Sequence, residues 1–295
     1  MKKFVKILAI ALAALIVFFA AQQAYYAYGY KQHLPRTEIT VNGVEHEYYL
    51  FAPANEADGS SPLLVLLQGG GADASWRFAS QYDWEALAEK EGMIIAIPSG
   101  KQVGDNEGAW QLNTDSKSMQ DIKYFEAMIS EITSKYTVDE SRIYAVGYSL
   151  GSMFSYELAC QMSTRFAAIA SFAGTMPVSP KSCDPERNIP IMHIHGAKDG
   201  IIAYSKPWDW KSWDSVGTMR DIPDLVQYWT DKYNCQNQNE TSNDAVAHFV
   251  YDACEQDSRI EHYRIEDGTH SWPEDINGEP TFSVMWSFLS NYSLP

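Results

Sequence analysis

Ser149 sits between two glycines in Gly147-Tyr148-Ser149-Leu150-Gly151. A serine hydroxyl is a poor nucleophile near neutral pH unless a base takes its proton during attack. That base is usually a histidine, held in one tautomer by a carboxylate. The pentapeptide by itself is a weak signal, and its setting strengthens it. Arg142-Ile143-Tyr144-Ala145-Val146 reads as a strand by its β-branched and aromatic content, and Ser152 to Ala159 is made of helix formers with no breaker. A strand turning sharply into a helix lifts the central serine out at the carboxyl edge of a sheet. The two glycines keep side chains out of the space where strand and helix nearly touch.

Such a turn requires its acid and base later in the chain, each just past a strand. Asp199 follows the run Ile191-Met192-His193-Ile194-His195, in His195-Gly196-Ala197-Lys198-Asp199-Gly200. His270 follows Arg259 to Ile265, in Asp267-Gly268-Thr269-His270-Ser271-Trp272-Pro273. His195 is the rival base, while His193 reads as packed inside its strand. His33 and His46 come early, and His248 and His262 lie in or beside strand-like runs. Asp267 and Asp121 are the alternatives to Asp199 as the acid. Ester hydrolysis also needs donors for the tetrahedral oxyanion. The backbone N–H of Leu150 is one, and Gly70 in Gln68-Gly69-Gly70-Gly71 is the choice for the second, with Gly69 next. The bland alternative for that glycine run is a simple tight turn.

The elements that must position these groups follow from periodicity. Glu38–Val41 and Val44–Phe51 flank Asn42-Gly43, which favours an opening antiparallel hairpin. Leu63–Leu67 is a strand buried on both faces, a helix carries Trp84, Leu87 and Ala88, and Met93–Ile97 is a strand stopped by Pro98. Asp105–Ser118 reads as polar loop. Ile122, Phe125, Met128, Ile129 and Ile132 mark a helix over Asp121–Lys135. Phe166–Phe172 is a further strand. Helices are expected over Asp221–Tyr233 and Phe282–Leu289, and the strand Arg259–Ile265 lies between them. Strands alternating with helices give an α/β fold with a mainly parallel sheet and helices on both faces, and the sharp strand–serine–helix turn reads as that of an α/β-hydrolase.

Residues 1–30 stand apart. Lys2, Lys3 and Lys6 precede an uninterrupted apolar run from Ile7 to Ala21. Its length suits the core of a cleaved secretory signal better than a full span of about twenty residues. The chain has no clean small-x-small cleavage site near Ala20–Ala24, and Tyr25, Tyr26, Tyr28 and Tyr30 suit a bilayer interface, so an uncleaved anchor is the alternative. Either way residues 31–295 form a single catalytic domain outside the cytoplasm, secreted or periplasmic. The net charge of −16 disfavours nucleic acid and anionic lipid as partners. Membrane contact is expected only through the N-terminal segment. Cys160, Cys183, Cys235 and Cys254 show no C-x-x-C spacing and no metal-ligand cluster, so neither metal nor cofactor is expected. Three disulfide pairings are open. Sequential pairing would close loops of about twenty residues, each stabilising by about 3 kcal/mol, and buried free thiols are the alternative.

These residues resemble the polyhydroxybutyrate depolymerase-like and feruloyl esterase families of secreted α/β-hydrolases, over about residues 38 to 292. The resemblance rests on the apolar strand before Gly69-Gly70-Gly71, on the Ser149 pentapeptide and on His193-Ile194-His195-Gly196 with Asp199. It also rests on Asn234-Cys235 and on Gly268-Thr269-His270-Ser271-Trp272-Pro273. It implies Ser149, Asp199 and His270 as a triad, and it suggests Cys160 with Cys183 and Cys235 with Cys254. Two positions depart from the family: Gln68 stands where histidine is usual, and Asp267 adds charge before the base loop.

The implied substrate is a small or polymeric carboxylic ester, foremost feruloyl or acetyl esters of plant polysaccharides. Poly- or oligo(3-hydroxybutyrate) is the alternative, and a peptidase or a catalytically silent binding protein is remoter. Trp208, Trp210 and Trp213 fall within six residues and could form a platform for sugar or aromatic groups; ordinary packing is the bland reading. Trp110, Trp210 and Trp272 are the candidate substrate contacts, with Trp110 and Trp272 ambiguous between pocket wall and core.

Overall fold

The computed structural model describes residues 12–21, 24, 34–54, 59–70, 83–100, 110–115, 119–206, 208–209 and 216–295. Trp210, Trp213, Gly71, the charged start of the leader and its tyrosines lie outside these. The chain divides into two units, Met1–Arg36 and Thr37–Pro295. In the first, residues 12–21 are helical, with Leu12, Leu15, Ile16, Val17, Phe18 and Phe19 exposed. No helix among the described residues is long and apolar enough to cross a membrane.

The larger unit is organised by one ten-stranded sheet. β1 (Arg36–Val41) and β2 (Val44–Phe51) meet at Asn42-Gly43. Both turn residues have positive φ, 52° and 80°, as a two-residue turn that follows strand twist requires. β3 (Ser61–Leu67), α1 (Trp84–Glu91), β4 (Ile94–Pro98), α2 (Gln120–Lys135) and β5 (Val138–Tyr148) come next. Then follow α3 (Leu150–Gln161), β6 (Ala168–Phe172), β7 (Ile191–Gly196) and the short pair β8 (Trp208–Asp209) and β9 (Thr218–Met219). The chain closes with α4 (Ile222–Lys232), β10 (Asn237–Ser242), β11 (Val246–Asp252) and β12 (Ile260–Ile265). After these come the small pair β13 (Asp275–Ile276) and β14 (Glu279–Pro280), and α5 (Thr281–Leu289).

Across the sheet the order is β1-β2-β4-β3-β5-β6-β7-β12-β11-β10. From β4 to β12 every neighbouring pair is parallel, whereas β2 joins antiparallel on one side and β11 and β10 on the other. The central strands β3, β4, β6 and β7 are buried along their whole length; β4 is apolar throughout, whereas β6 and β7 carry Ser171, His193 and His195 inside. The helix α3 packs on β3, β5 and β6. Every residue from Leu150 to Cys160 is buried, so this helix lacks the polar face of a surface helix. The fold is that of an α/β-hydrolase, with helices packed on a mostly parallel sheet.

Three features differ from expectation. The strand leading to Ser149 begins at Val138, four residues before the apolar run. The β10–β11 hairpin was not anticipated, because β10 is Asn-Gln-Asn-Glu-Thr-Ser with all six side chains exposed. As a sheet edge it needs no apolar alternation, and it pairs through the backbone ladder, with Asn237 Nδ2 donating to Asp252 Oδ1 at 2.8 Å. Finally, residues 110–113 are no polar surface loop. Trp110, Leu112 and Asn113 are buried, with Trp110 stacked on Phe154 at 5.1 Å. Disulfides join Cys160 to Cys183 and Cys235 to Cys254, the pairing the family resemblance implies.

Candidate active site

The parallel run brings the carboxyl ends of β5, β7 and β12 to one edge of the sheet. Tyr148 pairs level with Phe172 and Phe172 with Ile194, while Gly196 pairs with Ile265. Ser149, Asp199 and His270 follow those strand ends directly.

Ser149 is the residue between β5 and α3, with φ 54° and ψ −116°. That left-handed conformation is costly for a non-glycine residue and persists only where the surroundings enforce it. Its N–H donates to Phe172 O at 2.9 Å and its carbonyl accepts from Met153 N at 3.0 Å. The flanking glycines are required by space. A Cβ on Gly151 would lie 2.2 Å from the Leu67 carbonyl oxygen, and one on Gly147 would lie 2.3 Å from that of Gly151. The turn after β3 approaches the same point, since a Cβ on Gly69 would sit 3.1 Å from Ser149 Cβ and one on Gly70 2.7 Å from a methyl of Leu150.

The side chains form one line. His270 Nε2 lies 2.9 Å from Ser149 Oγ, and His270 Nδ1 lies 2.8 Å from Asp199 Oδ2. Asp199 Oδ1 accepts from the backbone N–H of Ile201 at 2.8 Å and of Ile202 at 2.9 Å. Burial opposes ionisation of Asp199. Hydrogen bonds from His195, His270 and the Ile202 and Ile201 amides outweigh it and hold the carboxyl below the usual aspartate range. Because the carboxylate accepts from Nδ1, the neutral imidazole presents Nε2 as the acceptor facing the serine hydroxyl, the arrangement that general-base attack needs.

The loops that carry Asp199 and His270 are also tied to each other. Lys198 N donates to Gly268 O and Ala197 N to Ile265 O, both at 2.8 Å. A Cβ on Gly196 would lie 2.4 Å from the Gly268 carbonyl, so the two backbones touch. Tyr148, next to the serine, donates its hydroxyl to the His270 carbonyl at 2.9 Å. Sequence reading gave Tyr148 no role beyond its place in the pentapeptide; only the tertiary fold carries residue 270 to it.

The rivals have other partners. Asp267 is 90% exposed and pairs with Lys198 at 2.5 Å, so its charge is spent at the surface. Asp121 lies in the first turn of α2 and accepts from Gln111 N at 2.7 Å. His195 points its Nε2 at the Ile202 carbonyl, 2.9 Å away. Trp110 corrects the candidate substrate set: it has no exposed surface, packs between Phe125 and Phe154, and donates its indole N–H to Gln68 O at 3.1 Å. Trp272, 8% exposed, lies against Phe172 at 5.1 Å. It lines a cavity of about 630 Å³ together with Asp83, Tyr148, Ser271, Glu274 and Phe282. Among the described residues no group of three or more His, Cys, Asp or Glu is arranged to hold a metal ion.

A family model described as phospholipase/carboxylesterase matches residues 55–208, just over half of the chain. A bifunctional acetylxylan esterase/xylanase of Neocallimastix patriciarum is 24% identical over 259 residues, covering 85% of this chain and 34% of its own length. Feruloyl esterase B of Piromyces equi is 26% identical over 242 residues, 81% of this chain and 43% of that protein. The chain thus spans well under two thirds of these relatives. Among solved structures, an acetyl xylan esterase from Aspergillus awamori superposes with a TM-score of 0.67 at 12% identity, over 87% of this chain and 99% of that one. At that identity the likeness is one of fold.

Proposed function

The chain belongs to the phospholipase/carboxylesterase family of α/β-hydrolases, and from that premise we propose that it is an exported serine esterase acting on feruloyl or acetyl esters of plant polysaccharides through Ser149, His270 and Asp199. His270 Nε2 takes the Ser149 proton as Oγ attacks the ester carbonyl carbon. The N–H groups of Leu150 and Gly70 receive the oxyanion; losing one such donor typically costs about 3 kcal/mol in the transition state. The imidazolium, stabilised by the Asp199 carboxylate, returns its proton to the departing alcohol and leaves an acyl-Ser149. Water, deprotonated by the same imidazole, then releases the acid.

The observation that carries this reading is the line of 2.9 and 2.8 Å contacts from serine through imidazole to a carboxylate held ionised. The substrate class is supported by the acetylxylan and feruloyl esterases among the relatives, and by the ring-lined cavity next to His270. Export is supported by two disulfides, which persist in oxidising compartments, and by the apolar N-terminal segment, whether cleaved leader or anchor. Residues 31–295 are taken as one catalytic domain.

Ser149→Ala is expected to abolish hydrolysis of naphthyl acetate and labelling by a fluorophosphonate, with the melting temperature unchanged. Wild-type turnover in that variant would remove the mechanism. Comparing methyl ferulate, acetylated xylan and hydroxybutyrate oligomers tests the substrate; a preference for the oligomers would overturn the polysaccharide-ester assignment.

A further inference from the structure

Behind the carboxylate the hydrogen bonds continue. His195 Nε2 lies 2.9 Å from the Ile202 carbonyl oxygen and 3.4 Å from Asp199 Oδ2. His195 Nδ1 lies 3.1 Å from His193 Nε2, and His193 Nδ1 lies 2.7 Å from the Tyr156 hydroxyl. Ser171 Oγ, itself bonded to Ser152 Oγ, stands 3.3 Å from the same Nδ1. The whole chain is buried: His193 is 1% exposed, His195 0% and Tyr156 1%. These are positions on β7 and α3 where apolar side chains would pack without any polar atom to satisfy, and a buried polar chain is tolerable only when every link is made.

One group sets its direction. A backbone carbonyl can only accept, so Nε2 of His195 carries a proton. In the neutral tautomer that carries this proton, Nδ1 of His195 accepts and His193 donates from Nε2. Nδ1 of His193 then accepts from Tyr156. His193 is kept neutral by burial. His262 holds the His193 backbone through an Nδ1–H donated to the His193 carbonyl at 3.1 Å. Every link therefore donates toward Asp199.

The effect converges on the acid twice. His195 reaches Asp199 Oδ2, the oxygen that accepts the hydrogen bond from His270 Nδ1, and it holds the carbonyl of Ile202, the residue whose own N–H donates to Oδ1. We propose that His195 is a positioning residue of the esterase site, oriented through His193 by Tyr156, and that it fixes the carboxylate against which His270 is aligned. This rests on the triad reading above.

The test is steady-state hydrolysis of p-nitrophenyl acetate by the full chain, with melting temperatures for each variant. His195→Phe removes the donor and should lower kcat about tenfold, the usual scale for one hydrogen bond to a charged group, with KM within about twofold. His195→Gln puts an amide N–H near the former Nε2 and should recover most of that loss. His195→Asn, whose amide reaches only the Nδ1 position, should not; this pair serves if the phenylalanine variant fails to fold. Tyr156→Phe should lower kcat about two- to threefold, and should have no further effect once residue 195 is phenylalanine. A kcat within twofold of wild type in His195→Phe, equal losses in the Gln and Asn variants, or multiplying losses in the Tyr156/His195 double variant would each overturn the assignment. If the Ser149→Ala enzyme still turns over, the triad reading fails; if it is silent while the residue 195 variants match wild type, only the positioning role fails.

Discussion

Buried carboxyl groups beyond β7 and on α2 and α3 have their titrations pushed in opposite directions. Asp199 is 5% exposed, Glu157 8% and Asp121 3%, so burial alone cannot separate them. Asp199 accepts from two backbone amides and from His270, with His195 close behind, and is held below the ordinary aspartate range. Glu157 accepts from Asn113 N at 2.7 Å and Gln161 Nε2 at 2.8 Å, and burial pushes it up to about 7. Asp121 accepts from Gln111 N, and burial raises it to about 6. The number and polarity of aimed donors decides whether a desolvated carboxyl stays charged. On one side that charge faces Nδ1 of His270. On the other, two carboxyls strap residues 110–113 over the core, and Trp110 of that strap bonds the carbonyl of Gln68 beside the Gly69-Gly70 turn.

Exchanging each acid for its amide breaks the comparison most directly. Asp199→Asn should cost about 10⁴-fold in kcat, because an amide N–H facing Nδ1 forces the wrong imidazole tautomer. A loss below about tenfold in esterase turnover would contradict the charged state assigned to it. Glu157→Gln should instead act on stability, with the opposite sign in pH. A carboxyl raised from about 4.5 unfolded to about 7 folded contributes stability that is complete below about pH 4.5 and lost as pH climbs through 7. The glutamine variant should therefore gain on wild type by up to about 3 kcal/mol between pH 5 and pH 8, read from urea midpoints. The Gln161 amide can flip to meet it, as its oxygen has no partner. Parallel stability curves for the two proteins would show that Glu157 does not titrate there. The smallest change is Gln161→Met, which takes one donor from Glu157 and should move its carboxyl titration, followed by NMR, further upward; a downward move would break the donor argument.

Chemistry with a local signature was legible in the sequence, and chemistry assembled across the chain was not. Gly147-Tyr148-Ser149-Leu150-Gly151 announces a sharp turn because its glycines answer a steric demand within five residues, and Asp199 and His270 stand out by following apolar strands. The strap is irregular backbone as read, but its burial was not legible, because Asp121 and Glu157, the acids that hold it, lie on helices α2 and α3 and carry no mark of being buried. His193 reads as packed, which its burial bears out, and His195 reads as a rival base, but their link to Tyr156 depends on how α3 lies over the sheet. The hairpin partner β10 had no hydrophobic period to betray it.

The meeting of the two loops at Gly196 and Gly268 has a consequence for how such a scaffold diversifies. Backbone contact leaves no room for a side chain at either position, so that joint is closed to substitution. Asp83 at the start of α1, and Glu274, Pro280 and Phe282 around β13, β14 and α5, line the cavity from segments outside that joint. New ester preferences can therefore accumulate at the rim while the reactive machinery stays untouched.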